Sequence, residues 1–386
     1  MFRDELERLR LEHLLRVIND RTMPSCGNNS TALSRICIAG QEYINFASND
    51  YLGLAGHDAV RETAKRAIDT YGFGSGASRL LSGGTALHRE LEQRLAVFKG
   101  SDVALLFNSG YAANTSILPA IAGEGAVIFS DALNHASIID GCRLSRAKTV
   151  IYRHKDADHL SALMQREKGR RNVVVTDTVF SMDGDIAPLK ELYDLCCEYD
   201  ALLYIDDAHG TGVLGAGRGA LAHFSLMPES RIIQMGTCSK ALGSFGAFVV
   251  ADRTTIDWLM NACRGFIFST ALPAAAAAAS LASLEIIQKD PSLVKRLWSN
   301  RERLLKGITA LGLDTLNSAT PIVPVIVGGV EETLTAAERL KGKHIYAPAI
   351  RPPTVETPRI RITVSAAHTE SDIDTLLEAL AAVMKS

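Results

Sequence analysis

Ala201-Leu202-Leu203-Tyr204-Ile205-Asp206-Asp207-Ala208-His209-Gly210 is a short apolar run that stops at two acids and a histidine. It reads as a buried strand that delivers polar side chains at its C-terminal end. Comparable runs stand at Val103 to Phe107, Ala126 to Phe129, Thr149 to Tyr152, Val173 to Thr176 and Ile232 to Met235, mostly separated by helical stretches. This βα alternation predicts an α/β fold, a mostly parallel sheet with helices on both faces. Such sheets bind ligands outside the carboxyl ends of their strands, so Asp206 and His209 stand where a ligand would lie. Phe245 to Val250 would add one more strand.

Thr237-Cys238-Ser239-Lys240-Ala241-Leu242-Gly243 joins two of these apolar runs. A lone loop lysine is ordinarily a solvated charge. In a small-residue turn between strands, however, Lys240 can reach a cleft where burial or a cationic neighbour makes its amine nucleophilic. Asn108-Ser109-Gly110-Tyr111-Ala112-Ala113-Asn114 follows the run ending at Phe107 and opens a helix, whose exposed first amides can hold a phosphate. A phosphate cradle, a strand-end aspartate and a turn lysine, in that order, suit pyridoxal 5'-phosphate. Lys240 would hold it as a Schiff base and Asp206 would pair with its pyridinium nitrogen. Asn134-His135-Ala136-Ser137 is another strand-end segment. Ser181, in Thr176 to Asp185, either caps a turn or reaches the same cofactor.

Four stretches, Asn49-Asp50-Tyr51-Leu52-Gly53-Leu54, Ser109 to Asn114, Asp206-Asp207-Ala208-His209-Gly210 and Thr237-Cys238-Ser239-Lys240, resemble the signatures of the α-oxoamine synthases. These are pyridoxal-phosphate enzymes of the aspartate-aminotransferase-like fold, fold type I, and the likeness runs from about residue 40 to the C-terminus. The resemblance implies that Asp206, rather than Asp207, faces the ring nitrogen, that His135 stacks on the ring, and that His209 hydrogen-bonds its phenolate oxygen. Gly110, Tyr111, Ser181 and Thr237 complete the implied cofactor set. For substrate it implies Asn49, Arg361 on the amino-acid carboxylate, and Arg351, Thr354 and an N-terminal arginine, Arg16 or the nearby Arg21, on the acyl chain. Phe268-Ser269-Thr270 resembles the segment by which a neighbouring subunit reaches the phosphate, which implies a homodimer.

Ala349 to Val355 is most similar to the biotin-pathway member, which joins L-alanine to a pimeloyl thioester on CoA or an acyl carrier protein. Two glycine-using members, 5-aminolevulinate synthase and 2-amino-3-ketobutyrate CoA ligase, are the alternatives. A catalytically silent cofactor-fold protein is a third, which an intact Lys240, Asp206 and His209 disfavour. Glu356-Thr357-Pro358 is shorter than the usual family connection.

The bulk properties agree with a small-molecule enzyme. A chain of 386 residues, 47% hydrophobic, can bury a large core. The expected division is an N-terminal helix and arm over 1–44, a large domain over 45–285 and a small α+β domain over 286–386. A formal charge of -2 with no sustained basic run gives no reason to expect nucleic acid or an anionic membrane. Cysteines 26, 37, 142, 196, 197, 238 and 263 form an odd set without C-x-x-C spacing, which predicts neither a disulfide framework nor a zinc site and points to a reducing cytoplasm. No apolar run approaches the roughly 18 residues of a membrane span.

Phe2, Leu6, Leu9, Leu14 and Ile18 approximate helical spacing and predict an amphipathic helix over 2–18 that packs on a neighbour. Gly74-x-Gly76 follows no strand and meets Arg79 where a third glycine should be, so it is no dinucleotide fingerprint. The resemblance places this segment in the acyl-CoA channel. Pro273 followed by Ala274 to Ala279 opens a helix. Arg359-Ile360-Arg361-Ile362-Thr363 alternates as a strand with both arginines on one face. That face would ordinarily be exposed.

Overall fold

In the computed structural model, which describes residues 2–16, 18, 20–22, 33–167, 169 and 171–384, the apolar runs form one seven-stranded sheet. Its order is Val103–Phe107, Ala247–Ala251, Ile232–Thr237, Ala201–Asp206, Asn172–Asp177, Val127–Asp131, Lys148–Tyr152. The last five strands pair in parallel. Ala247–Ala251 is antiparallel to both neighbours. The connection Cys238 to Gly246 explains this: a parallel crossover needs a dozen or more residues, and a tight return reverses the chain. Lys240 therefore sits in the one tight turn that breaks the alternation. Backbone bonds from Gly243 to Lys240, Ser244 to Cys238 and Cys238 to Gly246, all 2.8–2.9 Å, hold that turn. Gly246 has φ of 101°, and an added Cβ would meet Leu272 at 3.0 Å.

Burial on both faces accounts for the unbroken apolar runs. Leu105, Ile128, Val173, Val175, Tyr204, Ile233, Met235 and Val249 pack with Ala113, Ile117, Leu118, Ile138 and Cys142 from the helices Gly110–Ile121 and Ala136–Ser145. Each large side chain so buried contributes about 1.5–3 kcal/mol. The polar termini Asp131, Asp177, Asp206 and Thr237 are left at the carboxyl ends of the strands, and all four are buried.

The chain divides into two units, and the sheet lies in the one made of His57–Phe180 and Ile186–Val294. The other comprises Met1–Gly56, Ser181–Asp185 and Lys295–Ser386. It holds a three-stranded antiparallel sheet of Ile322–Val325, Arg359–Thr363 and Ala349–Ile350. A second sheet joins Arg21–Thr22, Arg35–Ile38, Gln41–Asn45 and Ile345–Tyr346. Where the large domain was expected to begin at 45, its unit begins at His57. The parallel pairing of Gln41–Asn45 with Ile345–Tyr346 ties the preceding segment to C-terminal residues. Helices cover Ala274–Lys289, as the alanine run predicts, and Glu370–Met384.

The N-terminal expectation is corrected. The helix is Arg3–Leu11, not 2–18, and none of its residues is buried. Four residues beyond Leu9 stands His13, which breaks the apolar stripe and takes φ of 55°, while the amides of Leu14 and Leu15 turn back to the Leu9 carbonyl. Among the described residues no helix is long and apolar enough to cross a membrane.

Candidate active site

Four strand ends of the large unit bring together Lys240, Asp206, Asp177 and His135. Asp206 and Asp177 are direct partners across their strands. Asp206 accepts from the Asn114 amide at 2.8 Å and from the Ala208 backbone amide at 3.0 Å. Asp177 accepts from the His135 backbone amide at 2.7 Å. Burial raises the pKa of Asp206, while Lys240, Asn114, Ala208 and His135 oppose that rise. Asp177 is pushed well above the carboxylate range, first by burial and then by the charge of Asp206. With more donors around it, Asp206 is the member of the pair that stays ionised. Burial lowers His135, Asp206 draws it up and Lys240 drives it down. The Lys240 charge thus acts on all three groups, although the residues lie far apart in sequence.

Asp207 serves a different network. Its carboxylate accepts from Lys99 at 2.7 Å, Thr178 at 2.8 Å, Thr211 at 2.9 Å, Gln234 at 3.1 Å and the Ala220 amide at 3.1 Å. Both members of the Lys99–Asp207 ion pair have fully buried side chains. The Gly210 and Thr211 amides bond the Asp207 carbonyl, shaping the turn that carries the buried His209.

Two features fit a phosphate monoester at the edge of this cluster. The Thr237 hydroxyl is buried with no hydrogen-bond partner, a costly state unless a ligand completes it. The helix Gly110–Ile121 starts against it: a Cβ on Gly110 would come within 2.9 Å of the Thr237 methyl. The first amides of that helix have no intrahelical acceptor. With Lys240 for the aldehyde carbon and Asp206 for a ring nitrogen, the residues fit pyridoxal 5'-phosphate. Tyr111 is half exposed, and its hydroxyl bonds Asp140.

In the other unit the arginine strand is buried, not exposed: Arg359 and Arg361 are each 5% accessible. Arg359 pairs with Asp183. Arg361 donates to the Ser181 carbonyl at 2.6 Å, the Thr363 hydroxyl at 2.8 Å and the Asn49 amide oxygen at 3.1 Å. It also bonds the Tyr51 phenol, whose pKa burial pushes up to about 12. No carboxylate is among these partners, so Arg361 is a buried cation with neutral neighbours, an arrangement that favours an anionic ligand. Ser181 and Asn49 therefore flank Arg361.

Arg16 donates to Thr354 at 3.1 Å, and Arg351 donates to the carbonyls of His13 and Leu15 at 2.6 and 2.9 Å. Arg21 sits instead on a strand opposite Ile38. Sequence reading missed Asn114, Ser137, Tyr204, Asp177 and Lys99. Asn114 and Ser137 lie inside quoted motifs, but their roles depend on which helices and strands meet.

The chain matches the family model for aminotransferase class I and II over residues 41–380. It is 50% identical to the 8-amino-7-oxononanoate synthase of Geobacter metallireducens, covering 100% of this chain and 98% of that one. It is 48% identical to the enzyme of the same name from Geotalea daltonii, covering 99% and 97%. Among solved structures, a serine palmitoyltransferase carrying its PLP internal aldimine aligns with a TM-score of 0.91 at 30% identity, over 99% of this chain and 96% of that one.

Proposed function

Because the chain belongs to the aminotransferase class I and II family, and within it to the pyridoxal-phosphate-dependent α-oxoamine synthases of fold type I, we propose that it condenses L-alanine with a pimeloyl thioester. The thioester is carried on CoA or an acyl carrier protein, and the products are 8-amino-7-oxononanoate, carbon dioxide and the free carrier, a step of biotin synthesis. The observation that carries this reading is the convergence of Lys240, Asp206 and His135 beside the unpartnered Thr237 hydroxyl.

When bound, pyridoxal phosphate supplies the electron sink that acidifies the alanine Cα–H and allows the carboxylate to leave as carbon dioxide. Asp206 would keep a proton on the ring nitrogen through charge pairing. Lys240 would hold the cofactor at rest, and its Nζ would take the Cα proton. Thr237 and the amides of Gly110 and Tyr111 would hold the phosphate, and Ser181 is assigned to the cofactor by family likeness. His135 would stack on the ring and His209 would donate to its oxygen. Arg361, steadied by Asn49, forks the alanine carboxylate. Arg16, Arg351 and Thr354 receive the far carboxylate of the pimeloyl chain.

A homodimer completes the reading, and the 69% exposed Phe268 in Phe268-Ser269-Thr270 supports it. Free thiols at Cys142, Cys196, Cys197, Cys238 and Cys263 support a cytoplasmic location, while Cys26 lies outside the described residues. The deciding experiment supplies the holoenzyme with L-alanine, glycine or L-serine against pimeloyl-CoA, pimeloyl-acyl carrier protein and shorter acyl-CoAs, and identifies products by mass spectrometry. Turnover with alanine and a pimeloyl thioester is expected. A preference for glycine would assign the chain to a different synthase of the family.

A further inference from the structure

We propose that Asn114 is a positioning residue that couples the two cofactor-facing side chains, holding Asp206 directly and, through Ser137, fixing His135 as the neutral tautomer protonated at Nε2. The proposal rests on the reading of Asp206 and His135 as the cofactor site.

Asn114 is wholly buried and uses its whole amide. One amide hydrogen goes to Asp206 Oδ2 and the other to Ser137 Oγ, each at 2.8 Å. Asn114 Oδ1 accepts the Tyr204 hydroxyl at 2.6 Å. The opposite amide orientation would aim a carbonyl at the Asp206 carboxylate, so the network itself sets which end is nitrogen. The contact exists because the helices Gly110–Ile121 and Ala136–Ser145 approach closely at Gly141, where an added Cβ would lie 2.6 Å from the Asn114 carbonyl oxygen. No larger residue permits that approach without a shift.

Ser137 carries the constraint onward. Having accepted from Asn114, its hydroxyl directs its own proton to His135 Nδ1, 2.7 Å away. The Ser137 backbone amide, whose hydrogen has a fixed direction, donates to the same Nδ1 at 3.2 Å. A nitrogen that accepts two hydrogen bonds carries no proton, so the ring hydrogen belongs to Nε2. Of the charged groups around the ring, Asp206 favours a second proton, while burial and Lys240 oppose it. The histidine is left with a single donor, Nε2–H, aligned by the same asparagine that anchors Asp206. Under the proposed reaction that donor serves the alanine carboxylate until it departs.

The test reads the hydrogens directly. Neutron diffraction on crystals exchanged into deuterium oxide near neutral pH, with and without cofactor, is expected to show deuterium on His135 Nε2 and none on Nδ1. The Ser137 deuteron should point to Nδ1 and that of Tyr204 to Asn114 Oδ1. Deuterium on Nδ1, alone or together with Nε2, overturns the proposal. In Asn114→Leu holoenzyme, the pH midpoint of the bound cofactor's visible absorbance should move by about one unit, the size expected for a lost charge-assisted hydrogen bond. A folded variant with an unmoved midpoint also overturns it, and if the variant does not fold, the wild-type neutron map decides. The cofactor-free map gives the tautomer whatever substrates the enzyme accepts, so this inference and the proposed reaction fail separately.

Discussion

Asp206 and Asp207 are neighbours at the end of one strand, yet their carboxylates enter separate networks: Asp206 meets Asn114, and Asp207 meets Lys99 in a fully buried ion pair. Strand alternation sends the two side chains to opposite faces. One face holds Asp206 with Asn114, and the other, with Asp207 and Lys99, is sealed inside the unit.

The two acids should therefore fail differently. Asp206→Asn should slow exchange of the alanine Cα proton by about a hundredfold or more while the fold persists. Lys99→Met leaves a buried carboxylate without its cation and should cost about 3–5 kcal/mol in stability, part of which Asp207→Asn in the same chain restores. Proton exchange followed by NMR and urea unfolding separate the outcomes. Equal exchange defects in Asp206→Asn and Asp207→Asn proteins of matched stability would remove the distinction.

Lys240→Ala should abolish the absorbance of the covalently held cofactor and lower turnover by about 10²–10⁴-fold or more, the range of a lost general base. Spectra of the reconstituted variant are sufficient. A variant that keeps both the band and the rate would show that another residue holds the cofactor.

The two arginine groups should be separable. Arg361→Ala removes a charge-assisted contact worth about 1.5–3 kcal/mol and should weaken alanine binding about tenfold to a hundredfold. Arg16→Ala, which loses a contact to Thr354, should leave the alanine titration unchanged and raise the concentration of acyl thioester needed for half-maximal rate. Similar losses of alanine binding in both variants would dissolve the assignment of two carboxylates to two sites.

His368 predicts a pH dependence of stability. Burial depresses its pKa from 6.5 to about 4, the Ser365 amide donates to Nδ1 at 2.9 Å, and the ring stacks on Phe46 at 4.3 Å. Between those values the unfolded chain binds a proton that the folded one refuses, so stability falls as pH drops from 6.5 toward 4, by about 3 kcal/mol in all. Asp50, raised from 3.8 to about 6 by burial, acts in the opposite sense, since its folded form takes up a proton first. Comparing wild type with His368→Gln isolates the histidine. If the two unfolding curves keep a constant offset from pH 6.5 to 4, the ring is not the source.

The α/β class, the strand positions and the motifs around Lys240, Asp206, His135 and Arg361 were legible in the amino-acid sequence, because apolar runs buried on both faces and polar strand ends are local patterns. The N-terminal helix was overextended because a few apolar residues mimicked a stripe that His13 interrupts. Other features follow from packing between distant segments. The Arg359–Thr363 strand could have faced water. It is buried, and Arg361 meets Ser181 and Asn49 from distant parts of the chain. Asn114 reaches Asp206 only because two helices close on Gly141. A sequence specifies residue types and their periodicity. Which buried donor meets which acceptor, and so where a proton rests, depends on tertiary contacts, since a hydrogen bond is decided by angstroms and not by order along the chain.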